Sequence, residues 1–144
     1  MPYSPLIVNP MRQELTSIGF EDLMTAEAVD SFINEKASSA ILVVNSVCGC
    51  AAGQARPGVA LAMQSENKPE RLVTVFAGQE IEATNQARSY FADIPPSSPS
   101  IALFKEGEMV YFVPRHRIES RSAEDVAADL TAAFDRYFAA APAS

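Results

Sequence analysis

A chain of 144 residues with two cysteines has the size of one domain and can fold on its own core, which excludes the small disulfide-stapled scaffolds of secreted proteins. Hydrophobic residues at 48% and charged residues at 20% are ordinary globular values. A formal net charge of −7 argues against nucleic acid as a partner, because such binders neutralise phosphates with Lys and Arg. The one basic cluster is Arg115, Arg117 and Arg121.

Residues Met1 to Pro10 show no positively charged start followed by an apolar run, and no stretch has the length to span a bilayer. The expectation is a single domain, residues 1–144, in a reducing cytoplasm with no membrane partner. In that compartment a close cysteine pair is catalytic, redox-sensing or metal-binding before it is a permanent staple.

In chain order, Asn9-Pro10 reads as an N-cap followed by proline at the first helical position, and Thr25 as the cap of a second helix burying Val29, Phe32 and Ile33, with Gly19 between them. Ala40 to Val47 is a continuous apolar, β-branched run, the mark of a strand buried on both faces. From Cys50 to Met63 the positions Ala52, Ala55, Val59, Ala62 and Met63 follow helical spacing, and Pro57 predicts a kink. Leu72 to Phe76 forms a second strand, and Glu80 to Phe91 another helix with Ile81, Ala87, Tyr90 and Phe91 free to pack. After the Pro95 to Ser100 stretch, Ile101 to Phe104 and Met109 to Val113 are joined by Lys105-Glu106-Gly107-Glu108, a hairpin signal. Ser122 then caps a helix with Val126, Leu130, Ala133, Phe134 and Tyr137 along one stripe. The order predicts an α/β sandwich: a central mixed β-sheet flanked by helices, with two extra helices in front.

The chemistry concentrates at Cys48-Gly49-Cys50, where the first buried strand gives way to a helix. A helix N-terminus points unpaired N–H groups outward and favours an anion, so a thiol there is expected to titrate low. Cys48, just outside the helix, is the expected nucleophile, and Cys50 is spaced to release what Cys48 captures. Gly49 lowers the steric cost of the tight turn between them. A ring closed over one residue is tight, and strain of that kind favours the reduced form. A potential more oxidising than the roughly −270 mV of thioredoxin is therefore expected. Asn45 and Ser46 stand close enough in sequence to hydrogen-bond near the thiols, and Arg56 to add positive potential or pair with an acid.

The stretch from Val44 to Gly58, with Phe76-Ala77-Gly78-Gln79, Pro96-Ser97-Ser98-Pro99-Ser100 and Arg115-His116-Arg117-Ile118-Glu119, resembles the signature of the bacilliredoxin family, and the similarity runs through nearly the whole chain. The resemblance implies a thioredoxin-like fold and a thiol-disulfide oxidoreductase that removes bacillithiol, a low-molecular-weight thiol, from mixed disulfides on client proteins, or acts as a disulfide isomerase. It implies that Cys48 takes on the bacillithiol and Cys50 resolves it, that Gly49, Ser98 and Pro99 form the substrate-contacting turns, and that the bond before Pro99 is cis. No resident cofactor is expected, with bacillithiol as co-substrate. The rival reading is a soft-metal-binding protein using the two thiolates, with His116 as third ligand and no fourth in view. His116 is otherwise assigned no role, and Phe134, Tyr137 and Phe138 are expected in the core or on a dimer surface.

Overall fold

The computed structural model describes residues 3–139. Its centre is a five-stranded mixed sheet in the order β1-β3-β2-β4-β5, built from β1 (Glu21–Asp22), β2 (Ala40–Asn45), β3 (Arg71–Phe76), β4 (Ser100–Lys105) and β5 (Glu108–Val113). β3 runs parallel to β1 and β2, while β4 is antiparallel to both β2 and β5. The apolar run of β2 forms the middle strand, with all six residues buried. Its period of two divides them between two cores.

Ile41 and Val43 join Ile101 and Leu103 under α1 (Pro5–Thr16), α3 (Arg56–Ala62) and α6 (Ala123–Tyr137). Leu42 and Val44 join Ala102 and Phe104 under α2 (Ala26–Asn34) and α4 (Ile81–Ser89). Each fully buried aliphatic side chain contributes about 1.5–3 kcal/mol relative to an exposed one, so a single polar residue in β2 would be costly. Phe134 lies in the first core with Tyr137 and Phe138 packed at its margin.

Several local expectations hold. Thr25 caps α2 by accepting from the Ala28 N–H at 3.1 Å, and Ser122 caps α6 by accepting from Asp125 at 3.1 Å. The hairpin turn puts Glu106 (φ +54°) and Gly107 (φ +84°) in the left-handed region, as a two-residue turn between twisted strands requires.

Others are corrected. The first helix starts at Pro5 rather than Pro10, because Ser4 already supplies a cap to the Leu6 N–H at 3.2 Å and Pro5 an N-terminal proline. Pro10 lies inside α1, where it has no N–H to offer the Leu6 carbonyl four residues back, and Leu6 is 88% exposed. Just before Pro57 the helix carries a π-helical segment, Ala51–Ala55, which the spacing did not predict. The Arg56 N–H reaches back to the Ala51 carbonyl, and Pro57, which has no N–H, sits in the first turn of α3. Strand β1 and the short α5 (His116–Glu119) were not predicted; two acidic residues and a polar Arg-rich segment carry no periodic signal.

The topology fixes where loops meet. Parallel β2 and β3 end at the same edge of the sheet, where the Ala77 N–H donates to the Asn45 carbonyl at 2.9 Å. Antiparallel β4 starts at that edge, with Ser100 opposite Val44, and β5 finishes there, with Val113 opposite Ile101. The cysteine turn, the Ala77-Gly78 turn, the Ser98-Pro99 turn and Arg115 therefore converge from four separate parts of the chain.

Candidate active site at the carboxyl ends of the parallel strands

β2 ends at Asn45, and the chain turns through Ser46 and Val47 into a helix whose first turn already includes Gly49 and Cys50. The Cys48 carbonyl accepts from the N–H groups of Ala51 (3.1 Å) and Ala52 (3.3 Å), which makes Cys48 the capping position. The two thiols are free, half-buried, and have their sulfurs 2.7 Å apart. Gly49 is exposed, does not adopt a positive φ, and has open space where a Cβ would stand. The expected steric need for glycine is thus corrected: helical geometry brings the sulfurs together, and Gly49 leaves that face bare.

Arg56 holds this turn from behind. Its side chain is 2% exposed, and Nη1 donates to Asn45 Oδ1 and to the Ser46 carbonyl, each at 2.9 Å. Nε lies 3.2 Å from Glu14 Oε1, close enough for charge attraction but without a hydrogen bond. Asn45 Oδ1 also accepts from the Ser46 N–H at 2.9 Å, and Ser46 Oγ accepts from the Cys48 N–H at 3.3 Å. Of the two readings of Arg56, pairing with an acid is the one found: it is a buried brace beside Glu14.

The thiols are pushed in opposite directions. Burial raises the Cys48 thiol, but donation from the Cys50 thiol, the Ser46 hydroxyl and the N–H groups of Ala51 and Cys50 outweighs that and leaves it below the ordinary cysteine range. Burial raises Cys50, and so do its hydrogen bond to Cys48 and the charge that forms there; Arg115 opposes them without prevailing. Such a divergence means that Cys48 gives up its proton before Cys50 does.

An open cleft of about 310 Å³ adjoins Cys48, lined by Tyr3, Ser46, Val47, Ala77, Gly78, Arg88, Ser98 and Arg115. The Ser98–Pro99 bond is cis. Ser98 lines the cleft, whereas Pro99 is buried. Gly78 (φ +82°) turns the chain so that Gln79 clasps Tyr3, accepting from its N–H at 2.8 Å and donating to its carbonyl at 2.9 Å. Sequence reasoning missed Arg88 and Arg115. Only their place in the fold, in the last turn of α4 and just past β5, brings them here, although Arg115 opened a motif already singled out. His116 is exposed. Among the described residues no group of three or more His, Cys, Asp or Glu side chains is placed to hold a metal ion, so His116 does not complete a site with the two thiols.

A paired-cysteine turn at the end of a central parallel strand, with a cis-proline turn beside it, defines a thiol-disulfide oxidoreductase of the thioredoxin fold. Solved structures agree on the fold. Oxidised thioredoxin from Plasmodium falciparum superimposes with a TM-score of 0.58 at 17% identity, covering 84% of this chain and 100% of that one. Thioredoxin from Fasciola hepatica gives 0.54 at 15% identity, covering 82% and 99%. The family model described as disulphide isomerase matches residues 3–138. A bacilliredoxin of Geobacillus kaustophilus is 52% identical over 136 residues, 94% of either chain. One from Koribacter versatilis is 50% identical over 135 residues, 94% of this chain and 93% of its own. The chain belongs to the bacilliredoxin family.

Proposed function

We propose that the chain removes bacillithiol from mixed disulfides on client proteins, with Cys48 as nucleophile and Cys50 as resolving thiol. The Cys48 thiolate attacks the bacillithiol sulfur, the Cys48–bacillithiol bond forms, and the client sulfur leaves as a thiolate with no net oxidation. Cys50 then loses its proton and attacks Cys48 Sγ, forming the Cys48–Cys50 disulfide and expelling bacillithiol as a thiolate; alternatively a second small thiol attacks the bacillithiol sulfur, leaves with it as a small-molecule disulfide, and returns the Cys48 thiolate. The protein needs no resident cofactor for this, because the co-substrate brings the sulfur. Exposed Gly49 lets the client approach, and the Ser98-Pro99 turn borders the arriving disulfide. A reducing cytoplasm suits both thiols; no helix among the described residues is long and apolar enough to cross a membrane.

The observation that carries this reading is the pair of free sulfurs 2.7 Å apart, with the outer one held low by hydrogen bonds. The test is to mix a bacillithiolated client with Cys50→Ser protein, quench in acid and weigh it. An adduct of one bacillithiol on Cys48, with the client released, supports the proposal. Transfer to neither cysteine overturns it.

A further inference from the structure

We propose that the cleft beside Cys48 is a carboxylate-binding subsite, in which Arg88, with Arg115 at the rim, receives an acid group of the low-molecular-weight thiol as Cys48 takes it up; this rests on the exchange activity proposed above. Six arginines, Arg12, Arg56, Arg71, Arg115, Arg117 and Arg121, form ion pairs with carboxylates. In the basic cluster, Asp129 occupies Arg117 (2.7 Å) and Arg121 (3.3 Å), which leaves Arg115, exposed and tied to Glu119, to face the thiols.

Arg88 differs. It is half-buried, donates from Nη2 to the Ser97 carbonyl at 3.2 Å, and has no carboxylate partner among the described residues. Burial alone presses its guanidinium below the usual range. A desolvated cation without a counter-ion is costly, and a bound carboxylate relieves that cost with a two-pronged hydrogen bond.

The cleft, about 310 Å³, has no acidic residue in its lining although the chain carries a net −7. That volume suits a small molecule rather than a folded partner. In the step itself the Cys48 thiolate forms the new disulfide with the small thiol's sulfur, the client–thiol bond breaks, and the client keeps the electron pair. The carboxylate contributes no electrons and only positions the group being transferred.

The experiment uses the Cys50→Ser protein, which retains the adduct, and two symmetric disulfides of similar size: anionic dithiodipropionate and neutral bis(hydroxyethyl) disulfide. Rates of Cys48 adduct formation are read by intact mass and divided by the rates with a free neutral thiol. The anionic-to-neutral ratio is expected to exceed one, to fall roughly tenfold or more in Arg88→Gln as a charge-assisted hydrogen bond is lost, and to recover in part in Arg88→Lys, whose folding is checked by circular dichroism. It should also shrink with added salt. A ratio that Arg88→Gln leaves where it was overturns the subsite, as does selectivity seen only when the acid belongs to a client peptide. No adduct from either disulfide overturns the exchange reading instead, and the subsite with it.

Discussion

Arg56 Nη1 donates at once to Asn45 Oδ1 and to the Ser46 carbonyl, at 2.9 Å each, from a side chain 2% exposed. One guanidinium on the helix after the cysteines therefore fixes the end of β2 before them. Replacing Arg56 with Met strips two buried oxygens of a charged donor, and about 2–4 kcal/mol of stability should go with it. Arg56→Lys should recover only part, since an ammonium lacks the planar fork. Glu14 is 46% exposed, so Glu14→Gln should cost below about 1 kcal/mol. Urea unfolding of the three variants decides; equal losses for Arg56→Met and Glu14→Gln would refute the brace.

Ser46 touches Cys48 twice, accepting from its N–H and donating to its sulfur. The lowered thiol means that thiolate is already present at pH values where a free cysteine, near about 8.5, is still protonated. Alkylation of Cys48 should therefore rise and level off at lower pH than for a free thiol, and thiolate absorbance should show a second step, for Cys50, above the ordinary range. Ser46→Ala removes one of the donors and should move the first inflection upward. An inflection at the same pH in that variant would mean that the Cys50 thiol and the backbone N–H groups suffice without the hydroxyl.

Much of this was legible in the sequence because it is local. Continuous apolar runs declared the buried strands, Thr25 and Ser122 the starts of α2 and α6, and the Cys48-Gly49-Cys50 turn its place between strand and helix. What escaped depended on long-range pairing. Glu21–Asp22 is a strand only because β3 offers an open edge. An acid partner for Arg56 was among the readings, but nothing in its neighbourhood announces that the partners are Glu14 and Asn45. Arg88 comes to the cleft with the last turn of α4 and Arg115 only after β5 reverses beside β4, an arrangement that charge counts along the chain cannot display.

The two cysteines should fail differently when replaced. Cys48→Ser removes the group with the lowered pKa and should bring exchange down to the uncatalysed rate, whatever Cys50 does. Cys50→Ser leaves attack intact and should accumulate a mixed disulfide that a second small thiol clears slowly. Stopped time courses analysed by non-reducing gel and intact mass separate the cases. Trapping in the Cys48→Ser protein instead would reverse the two roles.

Gly58 and Gly53 lie on one helical stretch and make opposite predictions. A Cβ on Gly58 would stand 2.7 Å from Val126 Cγ1, 2.8 Å from Val126 Cβ and 3.0 Å from the Ala123 carbonyl. Backbone and a β-branched side chain yield little, so α3 would have to move off α6; Gly58→Ala should cost about 1–3 kcal/mol. Gly53 is exposed with nothing within 4 Å of its Cβ position, and Gly53→Ala should be neutral or stabilise by up to about 1 kcal/mol. Adding Val126→Ala to Gly58→Ala should give back part of the loss, since the clash and the cavity compensate. A double-mutant cycle by urea unfolding measures that coupling. Strict additivity would show that the helices are not held apart by this contact, and that the seat of the cysteine-bearing helix on the core is set elsewhere.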